Sequence, residues 1–183
     1  GDPSGALLVS RALVEAGPGL HLLPTGGPTL MDQVDAEAVE SVLNLLPFSG
    51  IEYVLVDTSS ELTLPTAAAL ATAHGICLIA LPDPASAFQP AQDQEVLAGL
   101  QVAPERILPV INRSREPLPQ RLQEVLEFLR YRPTLCIPEE ARPPVDTAGR
   151  FTGFRPGSGA ARAMQSLVQA LTQEPVPTEV IRP

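Results

Sequence analysis

The stretch EYVLVDTSSELT, residues 52–63, runs apolar through Val56 and stops on the carboxylate of Asp57. A carboxylate at the carboxyl end of a buried parallel strand stands where α/β sheets bind ligands. In phosphate-handling proteins an Asp placed there holds Mg²⁺ or a water bound to it. The competing structural use is a turn cap, with the carboxylate accepting from the amides of Ser59 or Ser60. The metal use requires a cradle of amides and a Lys for the phosphates. The chain contains no Lys: all 12 of its basic residues are Arg. Ser59 and Ser60 lie outside any G-x-S-x-G elbow, so a hydrolase nucleophile is not indicated.

Asn112 and Arg113 close a second apolar run, RILPVINR (106–113). The amide of Asn112 offers a donor and an acceptor at a strand end, for a planar ligand edge or for a turn. Arg113 and Arg115 read as solvated or paired with Glu116. RFTGFRPGSG (150–159) sets Arg and Gly beside a helix start, where an anion can sit or a mobile loop can form. His21 and His74 are isolated from other ligand-type residues. Cys77 and Cys136 each lie inside an apolar run and read as buried free thiols. Free thiols point to a reducing cytoplasm.

At 183 residues and 44% apolar content the chain can bury a core as one domain. Its apolar runs are strand-sized, so no membrane-spanning helix is expected. No basic-then-apolar leader opens it. The net charge of −9 argues against nucleic acid and anionic membrane as direct partners.

These residues need strands and helices to position them, and the pattern alternates. Ala6–Glu15 reads as a short helix and GLHLLP (19–24) as a strand. Asp35 caps a helix with Val39, Val42, Leu43 and Leu46 on one face, ended by Pro47. Strand 52–57 follows, near-continuously apolar like a buried parallel strand. Then come a helix over 64–73 with Pro65 in its first turn, strand 76–82, and a helix from Pro90 to 100. Strand 106–113, an amphipathic helix over 117–131 and strand 134–138 come next. The face of that helix is Leu118, Leu122, Val125, Leu126 and Leu129. A helix capped by Ser158 runs to about Leu171, and a Pro-rich tail (173–183) is expected to be disordered. Strand–helix alternation implies α/β, a mainly parallel sheet of about five strands sandwiched by helices. Residues 1–172 read as a single domain, with no internal repeat.

The order of these signals resembles the MinD/ParA family of deviant P-loop ATPases. Within it the CpaE/TadZ-type pilus assembly proteins are the nearest branch. Five stretches carry the resemblance: GLHLLPTGG (19–27), YVLVDTSSEL (53–62), ALATAHGICLIALPDPAS (69–86), ILPVINRSRE (107–116) and the segment from Cys136 to Leu171. YVLVDTSSEL is similar to the family's Walker B strand. The resemblance implies a three-layer P-loop-NTPase-like fold, incomplete at the N-terminal end. It implies that Asp57 holds Mg²⁺ through water and that Asn112 reads the adenine edge. It implies that Arg113 and the Ile137-Pro138 turn flank the base, and that Pro82 and Asp83 shape the adjoining loop.

The family's defining phosphate loop, with its lysines, is not matched. TGGPT (25–29) lacks the following Gly-Lys-Thr, and Pro28 removes an amide donor. Ser59-Ser60-Glu61 replaces the family's Pro-Pro-Gly or Pro-Ala-Gly. The expectation is therefore a scaffold or localisation domain with no catalytic residue and no cofactor of its own. The alternative is the C-terminal part of an ATP- and magnesium-dependent switch whose P-loop lies upstream. The resemblance implies a homodimer that contacts a pilus or envelope-machine protein. It places the chain in the cytoplasm, with recruitment to the inner face of the membrane or the cell pole. Direct membrane insertion and nucleic acid are not expected.

Overall fold

The computed structural model describes residues 3–24, 34–58, 61–115, 117–140 and 153–172. The TGGPT loop, Ser59, Ser60, Glu116, much of the 139–157 loop and the 173–183 tail lie outside those residues. Backbone contacts gather into two compact units, Gly1–Ala73 and His74–Pro183.

In the first unit, α1 (Pro3–Ala12) leads into a hairpin of β1 (Val14–Gly17) and β2 (Leu20–Leu22). The sequence expectation of helix through Glu15 is corrected here. The reason is the Pro18-Gly19 pair. Pro presets the first turn position, and Gly19 takes φ +72° at the second, which a type II turn requires. The chain reverses there, so Glu15 faces His21 across an antiparallel pair. Helix α2 (Ala36–Leu45) begins at Asp35, whose carboxylate accepts from the Ala38 amide at 2.8 Å. Its expected face holds: Val39, Val42 and Leu43 are half-buried and Leu46 is buried. A 3₁₀ turn, Leu46–Ser49, ends it. The Ser49 hydroxyl donates to the Ala6 carbonyl at 3.3 Å and ties this turn to α1. Helix α3 (Leu64–Thr72) is capped by Thr63.

Residues 52–57 form no strand. No hydrogen bond joins them to another described residue, and Tyr53, Val54, Leu55 and Val56 are exposed. The expectation of a buried parallel strand is corrected. A strand exists only where a neighbour supplies the ladder, and the described chain supplies none here.

The second unit is an α/β sandwich. Strands β3 (Ile76–Ala80), β4 (Ile107–Ser114) and β5 (Leu135–Pro138) pair in parallel, in the order β3-β4-β5. Among the described residues the parallel sheet thus has three strands, against the expected five or so. Helix α4 (Pro84–Gly99) starts at Pro84 under an Asp83 cap, and Pro90 lies inside it, where the sequence suggested a start. Both prolines fit a first turn, and the Asp83 carboxylate decides between them. Helix α5 (Gln120–Phe128) buries Leu122 and Leu126. It ends in a Schellman turn: the Tyr131 amide donates to the Leu126 carbonyl at 3.0 Å and the Arg130 amide to Glu127 at 3.1 Å. Arg130 takes φ +54° there. Helix α6 (Gly159–Thr172) begins where the Ser158 hydroxyl accepts from the Ala161 amide at 3.2 Å.

One face of the sheet packs Ala80 and Ile111 against Ala87, Ala91, Leu122, Leu126 and Tyr131. The other packs Val110 and Ile137 against Ala160 and Ala163. Helices α4 and α5 therefore cover one face and α6 the other, the three-layer arrangement expected. Cys77 and Cys136 are half-buried, and burial pushes the Cys77 thiol up. Among the described residues no helix is long and apolar enough to cross a membrane.

Leu122 is wholly buried, whereas Leu55 is 88% exposed. Leu122→Ala should cost about 2–5 kcal/mol in urea unfolding, and Leu55→Ala should stay within about 0.5 kcal/mol. A second expectation concerns pH. The buried Tyr131 hydroxyl donates to the Leu78 carbonyl at 2.7 Å. Burial pushes its phenol up to about 12, against a lowering from a backbone hydrogen bond at Val110. The folded value lies above the unfolded one, near 10. Its contribution to stability is complete below about pH 10 and is lost as pH rises towards 12. Urea midpoints measured from pH 9 to 12 should fall less steeply in Tyr131→Phe than in the parent.

Candidate functional site

The carboxyl ends of β3, β4 and β5 meet at one edge of the second unit. There β4 changes conformation within three residues. The Asn112 side-chain oxygen accepts from the Arg113 amide at 2.9 Å. Arg113 takes φ +55°, a left-handed turn that a short neighbouring amide supports. The register with β5 slips between Asn112 and Ser114. This bulge re-aims the chain at the sheet edge.

Ser114 then returns to the interior. It is buried, and its hydroxyl donates to the Ile137 carbonyl at 3.2 Å. The Glu139 amide donates to the Ser114 carbonyl at 2.9 Å, which extends the pairing past Pro138. Pro138 packs against the start of α6. A Cβ on Gly159 would come within 3.0 Å of its ring, so only glycine lets the helix approach this closely without displacement.

The β3 end is a compact turn. The Asp83 amide donates to the Leu81 carbonyl at 2.8 Å. The Asp83 carboxylate accepts from the Ser86 amide at 2.9 Å, and the Ser86 hydroxyl accepts from the Leu81 amide at 2.8 Å. Leu81, Pro82, Asp83, Arg113, Arg115, Pro119 and Glu139 line an open cavity of about 350 Å³ at this edge. Its charges are mixed. The Arg115 guanidinium holds the Glu139 carboxylate through Nε at 2.8 Å and a terminal nitrogen at 2.6 Å.

The structure brings together Asn112, Arg113 and Pro138 at one sheet edge, with Pro82 and Asp83 beside them. Asp57 belongs to the other unit. It is exposed and ends no strand. The Ser59 and Ser60 amides proposed for its cap lie outside the described residues. The sequence reads Arg115 as solvated or paired with Glu116, which also lies outside them; in the structure its side chain is exposed and pairs with Glu139. Sequence distance hid that pair, because only the parallel register of β4 and β5 carries residue 139 back to residue 115. His21 and His74 are exposed. Among the described residues no three His, Cys, Asp or Glu side chains gather as a metal cluster would.

Comparison with known proteins adds the fold. No family model matches the chain, and no curated protein matches it. Solved structures do, among them two ATPases. One is a ParA family ATPase from Chlorobium tepidum TLS, with TM-score 0.74 and 17% identity over 94% of this chain and 71% of that one. The other is the cell division ATPase MinD of Pyrococcus furiosus, with TM-score 0.64 and 18% identity over 92% of this chain and 75% of that one. The chain has a MinD/ParA-type, P-loop-NTPase-like fold. At such identities the likeness extends to the fold alone.

The Asp83 carboxylate is engaged in a helix cap. Asp83→Ala should therefore cost about 1 kcal/mol of stability. Thermal and urea unfolding measure it, and a loss well below that figure would free the carboxylate for another role.

Proposed function

We propose that this chain is a MinD/ParA-like scaffold or localisation domain that works without nucleotide. One observation carries the reading: a MinD/ParA-type fold built with no Lys. Phosphoryl chemistry rests on groups that neutralise the β- and γ-phosphates. The sheet edge does not supply them. Arg115 is already held by Glu139, and Asp83 adds negative charge to the same rim. The Asn112 side-chain oxygen already accepts from the Arg113 amide, which ties its orientation to the turn. On this reading the Lys-free chain does not hold a magnesium nucleotide by itself.

A scaffold acts by contact. In the pilus branch that the sequence resembles, the machine served is a bacterial pilus or related envelope assembly. This chain would form a homodimer and bind a component of such a machine in the cytoplasm. Recruitment to the membrane face or cell pole would come through that component. A second reading draws on the solved relatives, each of which extends beyond the matched region. In a longer polypeptide that supplied the lysine loop, Asp57, Asn112, Arg113 and Pro138 would join an active ATP-dependent switch.

Isothermal calorimetry of the chain with ATP and Mg²⁺ should give no micromolar binding and no turnover. Light scattering should show self-association with rising concentration, and affinity capture from native cells should recover a pilus or envelope-machine component. Micromolar affinity lost in Asp57→Ala would replace the scaffold reading with the switch.

A further inference from the structure

We draw no further inference here: the strongest candidate, the open cavity at the carboxyl ends of β3, β4 and β5 that Arg113, Arg115 and Glu139 line, belongs to the site already described.

Discussion

The His74–Pro183 unit depends on strand β4 being buried from both sides. Val110 and Ile111 are consecutive, so their side chains leave opposite faces of the sheet, and both are wholly buried. Val110 anchors the layer of α6, and Ile111 anchors the layer of α4 and α5. Burying each side chain is worth about 1.5–3 kcal/mol. The strands on either side take their register from β4, with Ile79 beside Val110 and Cys136 beside Ile111. Without this two-sided strand neither helix layer has a floor.

The same strand has to stop being apolar where it meets solvent, and the means it uses shape the candidate site. Asn112 supports the left-handed Arg113, the register slips, and Ser114 dips back into the interior with its hydroxyl satisfied by Ile137. Within this short span the chain passes from a two-sided core to an edge carrying two guanidinium groups. The edge is polar without being strongly charged, because Arg115 and Glu139 cancel one another.

Charge also divides the molecule. The first unit has Arg11 as its single Arg or Lys, while its carboxylates include Glu37, Glu40, Glu52, Asp57 and Glu61. Self-repulsion of this kind costs some stability and keeps such a surface from non-specific association with nucleic acid and anionic membrane.

The sequence by itself determined the elements whose signals are local. The faces of α2 and α5, the Asp35 and Ser158 caps and the apolar runs of β3, β4 and β5 were all legible, because periodicity and capping act within a few residues. Asn112, Arg113 and Pro138 could be placed at strand ends for the same reason. The hairpin at Pro18-Gly19 was also locally written, but the helical reading of Ala6–Glu15 obscured it. Tertiary structure alone decided three things. Whether residues 52–57 become a strand depends on a neighbour offering amides and carbonyls, and no local preference can supply that neighbour. The pairing of Arg115 with Glu139 depends on the register between two strands, since those residues are distant in the chain. The side-chain orientation of Asn112 depends on a left-handed Arg113 whose amide donates to it. Each of these is a contact or a backbone state imposed from outside the residue, and the types and spacing of the amino acids do not encode it alone.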